Sequence, residues 1–268
     1  MDITIKNMFD QEPKYWKIKV LITLIVVALV TWSSSAVNFD ISSNGRVVAS
    51  NIVKGIFSPS MDLIFNFTNQ GLPYLLLETI CIALLGTIVG AIFSIPLAFL
   101  SAPNVVNKYI ALVFRISIMM IRTIPAFVYG LMFIRVTGPG PFAGLMTMSL
   151  TSIGMLSKLF IEAIEDLDQG IIESLDAAGC NTFEKIRYGI IPQLTPSFIS
   201  TCIYRFDLNL KDAPILGLVG AGGIGAPLSF AMSSYRWHEV GSILLGLIIL
   251  VLIIEYMSTK IRTKLARG

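Results

Sequence analysis

What this chain has little of narrows its chemistry first. Only 14% of its 268 residues are charged and it holds a single histidine, whereas soluble domains carry about a quarter charged residues. His238 has no partner motif, so acid–base catalysis built on imidazole is excluded; its expected place is the end of a span. The three cysteines, Cys81, Cys180 and Cys202, follow no metal-ligand spacing, and two fall in apolar runs, which argues against a disulfide framework or a zinc site. No P-loop occurs anywhere, so the polypeptide lacks the phosphate cradle it would need to hydrolyse ATP alone. A cleavable signal is also missing. The first apolar run, Ile18 to Val37, is too long for a signal core and carries no A-x-A-like site. The net charge of +3 is too small to point to nucleic acid.

What is abundant is apolar surface: 54% hydrophobic residues and a mean hydropathy of +0.77. A span needs roughly 20 predominantly apolar residues. Six stretches qualify: Ile18–Val37, Leu72–Leu100, Tyr109–Val136, Phe142–Ile161, Leu194–Leu218 and Trp237–Tyr256. The expected fold class is all-α, a polytopic membrane protein of about six transmembrane helices. Lys6, Lys14, Lys17 and Lys19 precede the first run, and Lys260, Arg262, Lys264 and Arg267 follow the last. The positive-inside rule then places both termini in the cytoplasm. The third run is interrupted by Pro125; its start lies along the cytoplasmic interface, or the helix kinks and tilts. Three regions follow: 1–71, an N-terminal span plus an external segment in which Val47–Phe57 reads as a short interfacial helix; 72–260, the main membrane core; and 261–268, a basic tail.

Between the fourth and fifth runs lies a segment that breaks the charge trend. Glu162, Glu165, Asp166, Asp168, Glu173, Asp176 and Glu184 face only Lys185 and Arg187. Ile171, Ile172, Leu175, Ala178 and Gly179 share one helical face. Asp168 is placed to cap that helix and Gly179 to stop it. Asn181 and Glu184 have capping-box spacing for a second short helix through Tyr188. A solvated loop with local helix is one reading; a helix that docks in a partner's groove is the other. The apolar stripe, with no adjacent soluble domain to cover it, favours docking.

The fifth run carries Arg205, Asp207, Lys211 and Asp212. A charge at the bilayer centre costs about 2.5–3.5 kcal/mol, so these must pair, face a cavity or sit near an end. Asp207 and Lys211 are spaced i, i+4 for an ion pair. Arg205, Asn209 and Asp212 form a stripe roughly opposite, and one stripe is expected to be structural while the other lines a cavity. A break near Pro214 is expected. Arg115 and Arg122 share a face, and Arg122 stands where Pro125 frees a carbonyl. Glu78 reads as an interfacial or packing carboxylate rather than a proton relay. Gly220-Ala-Gly222-Gly-Ile-Gly225 fits the dinucleotide fingerprint, but it follows a span rather than a strand, so a flexible or re-entrant turn is expected instead.

The run Glu173-Ser174-Leu175-x3-Gly179-x9-Gly189-x-Ile191-Pro192 resembles the E-A-A-x3-G-x9-I-x-L-P coupling motif of ABC importer permeases. Glu173, Gly179 and Pro192 match; Ser174 and Leu175 replace alanines, Gly189 replaces isoleucine and Ile191 replaces leucine. With Arg122-Thr-Ile-Pro125, Gly138-Pro-Gly-Pro-Phe-Ala-Gly144, Ile186 to Gln193, Tyr204 to Asp207 and Leu216 to Gly225, the chain from about Leu72 to Lys260 is similar to the phosphonate-type permease subfamily. The resemblance implies a type I importer fold with a cytoplasmic coupling helix, a homodimer in a cell membrane, one ATPase subunit per protomer and an external substrate-binding protein. It implies no cofactor in this chain, ATP and magnesium belonging to the ATPase, and no catalytic or metal residues. Glu173, Ser174, Leu175, Ala178, Gly179 and Pro192 become candidates for ATPase coupling. Arg122, Arg205, Asn209, Asp212, Gly220, Gly222 and Gly225 become candidates for the path or gate. Phosphonate, phosphite or phosphate is the expected cargo, with methionine or another small solute as the alternative. An ion-coupled secondary transporter would need mid-membrane coupling carboxylates and often shows inverted repeats. A membrane enzyme would need paired catalytic residues. The chain shows no repeat and no such pair.

Overall fold

In the computed structural model the described residues are 15–35 and 45–266, and among them every regular element is helical. Lys6, Lys14 and Arg267, which entered the charge-based orientation, lie outside the described residues. So do most of the polar turn before Gly45 and the last residues of the first expected span. The chain divides into two compact units, Met1–Ala49 and Ser50–Gly268. The first contains α1 (Trp16–Ser35), every residue of which is exposed. Thr23, Thr31, Ser34 and Ser35 bond back to carbonyls three or four residues earlier, so these hydroxyls are satisfied within the helix, as a lipid environment requires.

The second unit opens within α2 (Gly45–Phe57) and continues with the short α3 (Met61–Ile64). The long elements are α4 (Leu72–Ser101), α7 (Pro141–Glu165), α10 (Ile191–Leu218) and α12 (Trp237–Ala266). Among the described residues four helices, α1, α4, α7 and α12, are long and apolar enough to cross a membrane. The helix α10 has 28 residues but carries the four charges noted above. The third expected span is two helices, α5 (Lys108–Thr123) and α6 (Ala126–Thr137), set at 85°. Ile124 and Pro125 are both extended at the junction, because a proline biases its predecessor away from helix and cannot donate to the carbonyl four residues back. That freed carbonyl, on Ile121, accepts from the Tyr129 hydroxyl at 3.0 Å. Tyr129, not Arg122, is the donor.

Helices α4 and α7 are the most extensively packed pair, and small residues allow it. Ala83, Gly86, Thr87, Gly90, Ser94, Ala98 and Ser101 are buried on α4, facing Thr147, Met148, Ser149 and Ser152 of α7. A Cβ on Gly86 would lie 2.6 Å from the Cβ of Met148, and one on Gly90 would overlap Ser152. Between lipid-solvated helices such close backbone approach supplies the van der Waals attraction that water-driven burial supplies elsewhere. At the other end, Phe160 of α7 and Phe198 of α10 stack with ring centroids 3.9 Å apart.

Pro214 does not break α10. The helix runs one further turn to Leu218, where Gly217 packs directly on Gly225 at the start of α11 (Gly225–Ser233). A neighbouring backbone of this kind lets a membrane helix carry proline without unwinding. The turn between α10 and α11 has positive φ at Gly220, Gly222 and Gly223, and it is clamped rather than loose. Gly140 N–H donates to the Gly220 carbonyl at 2.8 Å, and Ile224 N–H donates to Thr79 Oγ1 at 2.9 Å.

The seam predicts its own sensitivity. Gly90→Leu should destabilise the core by about 1–3 kcal/mol through overpacking, read as loss of the monodisperse species in detergent size exclusion. An unchanged elution profile and melting temperature would contradict the close-packed seam.

Candidate functional site: the acidic elbow between two long helices

The acidic segment forms a hairpin wedged between the end of α7 and the start of α10. Asp168 caps α8 (Gln169–Ala177) by accepting the Gly170 N–H at 2.9 Å. Gly179, at φ +77°, ends it; only glycine adopts that geometry freely, and Cys180 N–H then closes back on the Leu175 carbonyl at 3.0 Å. Asn181 and Glu184 form the reciprocal box: Glu184 N–H donates to Asn181 Oδ1 at 3.0 Å and Asn181 N–H to Glu184 Oε2 at 2.8 Å. The helix so begun does not stop at Tyr188. Thr182–Lys185 (α9) runs through a widened π turn, Ile186–Ile190, directly into α10. Pro192 explains the widening, since its ring would collide with the Tyr188 carbonyl in a regular helix.

The apolar stripe is partly covered by the chain itself. Gly189 sits under Leu175: a Cβ there would approach the Leu175 Cδ1 to 2.8 Å. This contact unites two departures from the importer motif. Where the pattern has alanine this chain has Leu175, and where it has isoleucine this chain has Gly189, so bulk has moved across the contact with little change in total volume. Gln193 adds a latch that sequence reasoning did not single out. Its Oε1 accepts the Asp168 N–H at 3.1 Å and its Nε2 donates to the Gly189 carbonyl at 3.0 Å, tying both limbs of the hairpin.

Most of the acids are engaged. Glu162 pairs with Lys158, Glu165 with Arg115 and Asp176 with Lys185, while Asp168 and Glu184 serve as caps. Arg115 also donates from Nε to the Ser101 carbonyl at 2.8 Å, joining the ends of α4 and α7. Glu173 is exposed and, like Asp166, makes no ion pair or hydrogen bond among the described residues. Ser174, Ala178, Gly179 and Pro192 are exposed around it and Ile171 is 39% exposed. The elbow thus presents the Glu173 carboxylate, small residues and an isoleucine on a braced frame.

The charged residues of α10 separate by face. Arg205 is buried and donates from Nε to Ser152 Oγ at 3.0 Å and from Nη2 to Thr151 Oγ1 at 2.9 Å, with Nη1 3.3 Å from the Met155 sulfur. Asn209 Nδ2 donates to the same Ser152 Oγ and to Thr87 Oγ1, both at 2.9 Å. This stripe knits α4, α7 and α10 inside the protomer, and the hydroxyl partners sit on the small-residue seam where sequence gave no sign of them. Asp212, two turns beyond Arg205, is half-buried and makes no ion pair among the described residues. On another face Lys211 Nζ bonds Asp207 and Glu255, both at 3.1 Å, so the expected i, i+4 pair exists and recruits α12. Arg122 is exposed at the α5–α6 break, its stem against Gly154, with no acceptor among the described residues. Gly220, Gly222 and Gly225 belong to the clamped turn, at the opposite end of α7 and α10 from the elbow. Their packing against Gly140, Pro141 and Gly217 leaves no cradle for a dinucleotide phosphate.

A mutant cycle tests the exchanged bulk. Gly189→Ile, which restores the motif residue, should cost about 1–3 kcal/mol by overpacking. Adding Leu175→Ala should recover most of it, a coupling of about 0.5–3 kcal/mol between contacting sites. Additive melting-temperature losses would show that the two positions do not share a contact.

Comparison with known proteins agrees with this geometry. A phosphite transport system permease protein of Stutzerimonas stutzeri is 32% identical over 188 residues, 70% of this chain and 68% of that protein. A putative phosphite transport system permease protein of the same organism is 31% identical over 245 residues, covering 91% and 84%. A phosphate-import permease protein of Mycolicibacterium smegmatis is 36% identical over 189 residues, 70% of this chain but 36% of that longer protein. Among solved structures, the inward-facing MetNI methionine ABC transporter superposes with a TM-score of 0.64 at 18% identity, covering 72% of this chain and 95% of that one. Residues 94–259, which include the elbow, α10 and most of α12, match the model of the binding-protein-dependent transport system inner membrane component, and the chain belongs to that family.

Proposed function

We propose that this chain is the membrane permease subunit of an ATP-driven importer for a phosphorus oxyanion: phosphite, a phosphonate or phosphate. The observation that carries the reading is the exposed Glu173, without an ion pair among the described residues, on a hairpin braced at both limbs between α7 and α10. A rigid charged knob at the shared base of two long helices is what a separate motor needs in order to move them. The cargo class is supported by the substrates named for the relatives above. The likeness to the methionine transporter is one of fold and does not extend to cargo.

In this reading both termini and the elbow face the cytoplasm, two copies form the transport unit, and each elbow seats in an ATPase subunit that binds ATP and magnesium. A binding protein delivers cargo from outside. ATP binding closes the ATPases and pushes on α8. The push passes into α7 and α10 together, because Arg205 and Asn209 bind them across Ser152, and reaches the glycine turn at their far end. Hydrolysis resets the inward-facing state, so the permease is a two-state element biased by its ligands. Arg122 is the residue assigned to the passing anion. It stands at a broken helix with no ion-pair partner among the described residues, and an ionised residue within a span is costly unless a function retains it.

Two measurements test this. Glu173→Lys combined with Gly179→Asp should abolish uptake and co-purification of the ATPase while leaving membrane insertion intact; uptake that continues after the ATPase is removed would rule out the importer reading. Arg122→Ala should retain normal assembly and lower oxyanion uptake roughly tenfold, the equivalent of about 1.4 kcal/mol. Arg205→Ala should instead lower stability by about 2–3 kcal/mol, the scale of charge-assisted hydrogen bonds. The reverse pattern would exchange their roles.

A further inference from the structure

At the end of the second unit opposite the elbow lies a cavity of about 820 Å³, lined by Asn51, Lys54 and Phe57 of α2 and by Tyr235, Arg236 and Trp237 before and at the start of α12. Its walls are fixed. Gly55 packs backbone to backbone against Trp237 and Gly241, and His238 Nδ1 is 2.7 Å from the Ser58 carbonyl. Arg236 is oriented by Glu239 at 2.8 Å and by the Phe230 ring, 4.8 Å from its guanidinium carbon. Lys54 is exposed at the cavity with no acidic partner among the described residues. Tyr235, at φ 57°, is the one non-glycine residue with positive φ among the described residues. Such backbone persists where surrounding structure holds it, and it clusters at binding sites.

We propose that this cavity is the socket for an acidic surface loop of the external binding protein. The inference rests on the importer reading. Three observations choose this occupant. Lys54 and Arg236 outweigh Glu239, so an acidic partner is complementary. Phe57 and Tyr235, 84% and 69% exposed, stand beside Trp237 and an arginine, the residue types that anchor protein interfaces. Position favours a partner outside the membrane. Leu72, the first residue of α4, packs on Gly246, nine residues into α12. At 1.5 Å per residue the start of α12 and the cavity therefore stand about 13 Å beyond the start of α4, on the side away from the elbow. The socket also extends beyond the family core. Its α2 wall lies outside residues 94–259, the part matched by the family model, which suits an element that selects one cognate binding protein.

The test uses the full permease with its ATPase in nanodiscs. Lys54→Glu should leave basal ATPase activity unchanged and raise roughly tenfold the concentration of cognate binding protein needed for half-maximal stimulation, the equivalent of about 1.4 kcal/mol. Raised salt should weaken the wild type more than the variant. Equal half-maximal concentrations would overturn the socket. A variant that instead changes only its dependence on phosphatidylglycerol content would overturn it in favour of a lipid site. A wild-type complex that hydrolyses ATP but ignores the binding protein would overturn the importer reading and the socket with it.

Discussion

Arg205 and Asn209 sit on the inner face of a helix with a long apolar neighbour on either side, and the hydroxyls of Ser152, Thr151 and Thr87 take their hydrogens. Inside a bilayer no water is available to do so. A guanidinium placed there must find its acceptors in the protein or leave the membrane. That demand sets the register of α4, α7 and α10 against one another. The glycines and serines along α4 exist to let the backbones come close enough for the bonds to form. Lys211, bridging Asp207 and Glu255, repeats the arrangement on the neighbouring face and adds α12. Charges that hydropathy treats as a fault in the fifth span are what hold the span in place.

The same connection gives the elbow its mechanical meaning. α8 would be an ornament on a loop if its two ends led to independent helices. They lead to α7 and α10, which the polar node makes one body for much of their length. Gln193 and the Leu175–Gly189 contact make the hairpin stiff, and the π turn carries that stiffness past Pro192 into α10 without a hinge. On the function proposed above, displacement at Glu173 would be conveyed to the clamped glycine turn at the far end of both helices rather than absorbed at the base.

Much of the site was legible because its signals are local. Asp168, Gly179, Asn181 and Glu184 act within four residues of themselves, through caps whose geometry depends only on the neighbouring backbone, and each does what its spacing implies. The Asp207–Lys211 pair is legible for the same reason. Pro125 marked the interruption between α5 and α6 but not its 85° angle, which depends on what the two helices pack against. Pro214 misled: a proline in the last turn of a helix whose end rests on Gly225 loses one hydrogen bond and needs no break. The partial cover over Leu175 was invisible too, since it comes from Gly189, fourteen residues away.

Sequence by itself determined that apolar helices dominate, where most of them begin (the last runs ten residues past its expected end, to Ala266), and that an acidic capped hairpin interrupts them. These follow from transfer free energy and backbone capping, both of which act over a turn or two. Only the tertiary structure decided which charges are spent on structure. Arg205 and Arg122 are the same side chain in spans of similar apolarity. One is enclosed by hydroxyls of α7 and the other stands at a broken helix with no acceptor among the described residues, and that difference depends on partners more than thirty residues away in the chain.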